Sequence, residues 1–169
     1  MKFLKVMYQI YYSLPGFRRY GLAGKAIDRL LELTMVYVFD WKLPQLLSSE
    51  LNSMRMGVVA PKNSSKELIV SITSFPARID RVWLTVVTLL NQTVMPNRVI
   101  LWLANEQFPN KIIPVTLRKL EKRGLTIKWC EDLRSHKKFY YTMKSNPDAF
   151  VITCDDDVYY PANTIESLL

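Results

Sequence analysis

Three consecutive carboxylates, Asp155, Asp156 and Asp157, follow the apolar run 149–153 (AFVIT) and Cys154. Side by side they repel one another by ~4 kcal/mol per pair at ~4 Å and an effective dielectric near 20, so something must offset them. A divalent cation does so directly, and all-oxygen ligands select hard ions such as Mn²⁺ or Mg²⁺ over zinc. The alternative is that the aspartates are solvated or cap the following turn. Asn163 already fits the N-cap of the next helix, with Glu166 three positions on as its capping-box partner, so Glu166 is expected to be structural. Lys137 and Lys138 point the same way. With Ser135 as N-cap they fall in a first helical turn, where cations meet the positive end of the helix dipole and are disfavoured by a few tenths of a kcal/mol. A phosphate bound there reverses that sign; a solvated basic face is the alternative. Triplet and lysine pair together predict a phosphate-bearing ligand bridged to the protein by a metal.

Strands must deliver these groups. Residues 68–73 (LIVSIT) read as a β-strand, and Asp80 as the N-cap of a helix running to about Asn91. Ile79 and Leu84 form a candidate hydrophobic staple, and Val82, Trp83, Val86, Val87 and Leu90 a candidate buried face. A second strand is expected at 99–103 (VILWL). An amphipathic helix follows at 115–123, closed by Gly124 in a left-handed conformation. A third strand at 126–129, a helix at about 136–144 and a fourth strand at 149–153 complete the pattern. Strands alternating with helices predict an α/β fold with a parallel, Rossmann-like sheet and flanking helices. Ligands of such sheets bind outside the carboxyl ends of the strands, where the triplet lies.

The 169 residues are 49% hydrophobic and 22% charged, which excludes a disordered or low-complexity chain. Cys130, Cys154 and the single His136 are too few for a disulfide framework or a four-ligand zinc site, and reduced thiols in a cytoplasmic protein are expected. The basic excess is N-terminal: residues 1–66 hold 10 Lys/Arg against 4 Asp/Glu, whereas 67–169 hold 13 against 11. No nucleic-acid-binding motif accompanies it, so nucleic acid is not an expected partner. In the opening segment Phe3, Met7, Ile10 and Leu14 make a helical stripe that either lies on an anionic membrane surface or packs on its own domain. Lys5 and Pro15-Gly16 break it well short of the ~20 residues of a membrane span. A second helical pattern covers 22–39, residues 41–56 carry no clean period, and 61–66 read as a linker. Two regions result: a basic helical segment, 1–66, and the α/β region, 67–169.

The stretch from IVSITSFPARI through LLNQTVMP, RVILWLANEQFP, GLTIKWCEDLRSHKKFYY and VITCDDDVYYP resembles the bacterial GT-A fold glycosyltransferases, relatives of the large family 2 group. The likeness covers about residues 68–169, and its most specific element is the DxD-type motif at the end of the fourth strand. It implies transfer of a sugar from a nucleotide diphosphate-sugar donor to a glycan or lipid-linked acceptor, with Mn²⁺ or Mg²⁺ neutralising the departing diphosphate, at the cytoplasmic face of the membrane. On matching positions Asp157 would ligate the metal, and Asp155 would reach it through water or contact the ribose. Asp156 could exchange roles with either. The loop holding Thr73, Ser74, Phe75 and Arg78 would seat base and ribose, although Phe75 equally suits a core. Lys137 and Lys138 would sit near the diphosphate or donor sugar.

Two departures from the pattern stand out. Where the family usually has an acidic residue after the second strand, this chain has Ala104-Asn105-Glu106, so either Asn105 or Glu106 substitutes or the donor contact differs. Glu131 and Asp132 are either a second acidic pair in the ligand-facing region or, the reading preferred, capping and charge-balancing groups for the basic helix that follows, and His136 reads as a helix-start residue. The chain ends 12 residues past Asp157, before the part that in the family supplies the acceptor pocket and catalytic base. It therefore reads as a donor-binding half, truncated at its C-terminus, with no assignable catalytic residue. A noncatalytic remnant and a Mg²⁺-dependent phosphohydrolase with an aspartate nucleophile are the competing readings.

Overall fold

The computed structural model describes residues 16–53, 55–60 and 66–169. The stripe expected over residues 3–14 and most of the expected linker fall outside them. The chain forms two compact units, one ending at Glu50 and the other spanning Leu51–Leu169. The second unit thus begins before the boundary expected from composition. Its early residues are tied in by backbone bonds: Gly57 N–H donates to Arg123 O at 2.9 Å, and Val59 N–H to Pro96 O at 3.0 Å.

In the first unit a 3₁₀ turn, Phe17–Tyr20, leads into α1, Gly21–Val36. Phe17 N–H donates to Asp28 Oδ1 at 3.1 Å, and Gly24 lets the turn lie against the helix, because a Cβ there would sit 1.8 Å from Phe17 O. The expected helix over 22–39 is α-helical only to Val36, after which the backbone widens into a π-helical stretch, Tyr37–Lys42. A short helix, α2 (Leu43–Ser48), follows with Pro44 in its first turn, where the missing N–H costs nothing.

The second unit is α/β, with four parallel strands in the order β3-β2-β1-β4. They are β1 (Leu68–Thr73), β2 (Arg98–Ala104), β3 (Leu125–Cys130) and β4 (Phe150–Cys154), each within two residues of its expected bounds. Between them lie α3 (Val82–Leu89), α4 (Val115–Glu121) and α5 (Lys137–Ser145), and α6 (Thr164–Leu168) follows β4. Gly124 closes the α4 connection at φ 109°, as its place after the helix predicts.

Three expected caps do not form. Asp80 lies in the turn before α3, whose N-cap position is Arg81, and no side chain caps it. Burial decides this helix instead: seven of its eight residues are buried, and each apolar one is worth about 1.5–3 kcal/mol against about 1 kcal/mol for a cap. Ser135 lies inside a 3₁₀ turn, Arg134–His136, so His136 takes the N-cap position of α5. Asn163 does precede α6, but its amide donates to Ser167 Oγ while Glu166 accepts from Thr93 Oγ1, so no capping box closes.

The helix α5 is riveted to one face of the sheet by a buried polar chain. Trp102 Nε1–H donates to Thr142 Oγ1 at 2.7 Å, and Ser71 Oγ donates to Lys138 O. Since Ser71 spends its proton there, Thr142 is the donor in the 2.8 Å bond between the two hydroxyls. Ile69, Ile100, Trp102 and Cys130 form the apolar cluster around this chain. The alternate residues Val70, Ile72, Val99, Leu101 and Leu103 are fully buried on the opposite face. Both faces are thus covered, as near-continuous apolar strands require.

Candidate ligand site at the strand ends

The order β3-β2-β1-β4 places β1 beside β4, although the chain visits two other strands between them. Strand addition reverses direction at that point, and the crevice outside the carboxyl ends there is where open α/β sheets take ligands. Two loops meet in it: Ser74 to Arg78 after β1, and Asp155 to Asp157 after β4.

Asp156 is the anchor of this junction. Its side chain is 8% exposed; it accepts from Ser74 Oγ at 2.6 Å and from the Arg78 guanidinium at 2.8 Å. Its carbonyl accepts from Thr85 Oγ1 at 3.0 Å. The same guanidinium nitrogen lies 2.9 Å from Asp157 Oδ2, so Arg78 bridges two of the three aspartates. Lys138 Nζ takes the third, donating to Asp155 Oδ1 at 2.6 Å. The hydrogen bond and then the charge of Asp156 raise the Arg78 pKa further above its ordinary value. The mutual repulsion of the three carboxylates is therefore offset by Arg78 and Lys138, without a metal being required for it.

A supporting layer went unnoticed in the sequence. Thr85, Thr88 and Gln92 recur at helical spacing on the otherwise apolar segment around α3. Thr88 Oγ1 accepts from Tyr160 N–H at 3.2 Å, and Gln92 donates to Pro161 O at 2.8 Å and accepts from Ile165 N–H at 3.0 Å. Two threonines on an apolar helix, with Gln92 at the same spacing just beyond its end, were the available signal. Tyr160 OH accepts from Asp155 N–H at 2.9 Å, and burial raises its own pKa above the ordinary value. Burial also pushes the Cys154 thiol up to about 11, so at neutral pH it rests as the neutral thiol.

The other expected residues divide. Phe75 is exposed, not core, with the Arg78 guanidinium carbon 5.3 Å from its ring centre. Thr73 Oγ1 donates to Trp102 O at 2.9 Å, a structural bond at the end of β1. Lys137 is 2% exposed and donates to Asp132 Oδ1 at 2.7 Å. Asp132 also accepts from Arg134 N–H and Gln107 Nε2, and these donors, Lys137 foremost, hold its pKa below the ordinary range. Asp132 thus has the charge-balancing place expected of it, and Lys137 belongs to that cluster. Asn105 donates to Cys130 O through both its backbone and side-chain nitrogens, whereas Glu106 is exposed beyond β2. A cleft of about 380 Å³ lies beside the start of α5, lined by Asp132, Arg134, His136, Phe139 and Tyr140 among others.

Among the described residues no three His, Cys, Asp or Glu side chains converge as a ready metal cage. The donor chemistry nevertheless fits a hard divalent ion. Asp155 and Asp157 are 66% and 51% exposed carboxylates, each facing a cationic side chain. Mg²⁺ needs only one or two carboxylates, since water and phosphate oxygens complete its shell. Asp155 and Asp157 are the ligands available to it, because Asp156 is committed to Ser74, Arg78 and the loop.

No family model and no curated protein matches this chain. What fold and site define is the class: a small α/β protein with a four-stranded parallel sheet and a charged crevice at its switch point.

Proposed function

We propose that the crevice between the β1 and β4 loops binds a nucleoside diphosphate-sugar, and that the chain is the donor-binding part of a glycosyltransferase acting on a glycan or lipid-linked acceptor. One observation carries the reading: the acidic triplet and the Ser74 to Arg78 loop meet at the switch point, with Lys138 at the same place. Cleavage of such a donor builds negative charge on the leaving diphosphate. Fixed cations stabilise that charge more than they stabilise the ground state. Arg78 and Lys138 are the chain's own groups for this task, and Phe75 offers an exposed ring beside them for a planar base. A Mn²⁺ or Mg²⁺ ion held by Asp155 and Asp157 would supply further charge neutralisation. The acceptor-side base has no candidate in the crevice.

The reading extends to an anionic membrane surface as a partner, with the chain peripheral at the inner face. Leu22, Leu30, Leu33, Tyr37 and Trp41 of the first unit are exposed, in the half of the chain that carries the basic excess. Among the described residues no helix is long and apolar enough to cross a membrane.

Calorimetric titration of the chain with UDP and GDP, with and without Mn²⁺, tests the donor reading. Metal-dependent nucleotide binding that is lost in Asp157→Ala is the expected result. Release of inorganic phosphate from simple phosphate esters would favour the phosphohydrolase instead, and absence of any nucleotide binding a noncatalytic remnant.

A further inference from the structure

Around the start of α5 one charge pair is closed and two donors are left over. Lys137, nearly buried, donates to Asp132 Oδ1 at 2.7 Å, so these two charges cancel. Asp132 also accepts the N–H of Arg134 at 2.8 Å, which holds Arg134 at φ 51°, a left-handed backbone uncommon for residues other than glycine. The Arg134 guanidinium itself has no hydrogen bond or ion pair among the described residues. The His136 imidazole meets the Phe139 ring edge-on, with 5.5 Å between centres, and has no polar partner among the described residues.

Both donors border the cleft of about 380 Å³, together with Asp132, Leu133, Phe139 and Tyr140. With Asp132 neutralised by Lys137, the net charge of this lining is that of Arg134, augmented when His136 takes up a proton. Such a lining matches a monoanion better than a diphosphate, and the fork of a guanidinium fits a carboxylate through two parallel bonds. Phe139 and Tyr140 are 41% and 43% exposed, so their rings form an apolar wall beside the cation. The negative face of such a ring favours the C–H face of a sugar. Gln107 donates to Asp132 Oδ2 and leaves its buried Oε1 without a partner among the described residues, an unmet acceptor next to the cleft wall.

We propose that this cleft binds a uronic acid residue of a glycan, with its carboxylate on Arg134 and His136 and its ring against Phe139 and Tyr140. A free aromatic acid shares that chemistry. The half-open aromatic wall favours the glycan, because it leaves room for the sugars on either side. The volume lies at the low end of the about 300–1,000 Å³ of ligand pockets, so one or two rings of the chain fit. Lys138, in the same first turn of α5, donates to Asp155, so the cleft adjoins the crevice. Taking the uronate as part of the acceptor rests on the transferase reading, whereas its binding in the cleft does not.

The test titrates the full chain by calorimetry with trigalacturonate, with the same oligosaccharide after reduction of its carboxyl groups to alcohols, and with benzoate. The acidic oligosaccharide should bind at least about tenfold more tightly than either of the others. Arg134→Gln, at an exposed side chain, should leave thermal unfolding unchanged and weaken the acidic form about tenfold, the usual effect of losing a charge-assisted hydrogen bond. Phe139→Ala should weaken the acidic and reduced forms alike. His136→Gln keeps the test open should Arg134→Gln fold poorly. Equal affinity for the acidic and reduced forms, or an acidic form indifferent to Arg134→Gln and His136→Gln, overturns the proposal. Benzoate bound as tightly as the oligosaccharide overturns the glycan in favour of a free acid. Displacement of the oligosaccharide by UDP with Mn²⁺ assigns the cleft to the donor and overturns the proposal too. If UDP binds and no uronate does, the donor reading survives without the cleft; if the uronate binds and UDP does not, the cleft survives and the transferase reading falls.

Discussion

At the scale of single residues, three adjacent aspartates have three different environments. Asp156 faces inward to Ser74 and Arg78, whereas Asp155 and Asp157 stay at the surface with one cationic partner each. Asp156→Ala would strand a buried Ser74 hydroxyl and release Arg78, costing about 1–3 kcal/mol. Asp157→Ala should change stability by no more than about 0.5 kcal/mol, since half-exposed surface positions seldom cost more. Thermal unfolding of the two variants side by side checks this contrast. Equal destabilisation would mean that Asp156 is not the anchor. The triplet itself was legible in the sequence, but the division of labour within it was not, because local sequence carries no record of what lies across the crevice.

Among the elements, α5 does most to aim the site. Its registration on β1 and β2 depends on the Trp102, Thr142, Ser71 and Lys138 chain, whose donors and acceptors are all accounted for. Thr142→Val keeps the volume but leaves the indole N–H of Trp102 unpaired, so a loss of about 1–3 kcal/mol is expected, with Thr142→Ser much closer to the parent. Urea midpoints of the two variants, at an unchanged denaturant slope, are the measurement. A Val variant as stable as the parent would show that apolar packing alone holds the helix. Strand positions could be read from β-rich apolar runs, since each carries its own signal. Side-chain caps could not: Asp80, Ser135 and Asn163 all have capping side chains, yet none caps, although α4 and α6 begin where the pattern puts them. A cap is worth less than the burial that fixes where α3 begins, and the 3₁₀ turn before α5 uses up Ser135.

For the molecule as a whole, the basic excess falls in the N-terminal part, whose described residues also expose large apolar side chains. Leu30, Leu33 and Trp41 are solvent-facing in the first unit, and residues 1–66 carry 10 basic against 4 acidic groups. The chain should therefore sediment with vesicles containing about 30% phosphatidylserine, be released as salt is raised well above physiological strength, and bind more weakly as Leu30→Asp/Leu33→Asp. Binding indifferent to both salt and the double substitution would remove the membrane from the list of partners.

The sequence by itself determined the fold class and several groups of the candidate site. Alternating strand and helix patterns require an α/β sheet, and the DDD triplet and paired lysines could be identified without coordinates, because period, propensity and charge act over a few residues. Tertiary structure alone decided which groups meet. Only the return of the chain to the far side of β1 brings Ser74 and Arg78 onto Asp156. It also gives Lys138 to Asp155 and leaves its neighbour Lys137 to Asp132. The reason is physical: electrostatic pairing depends on distances of a few ångströms through space, and strand order sets those distances between residues some eighty positions apart in the chain.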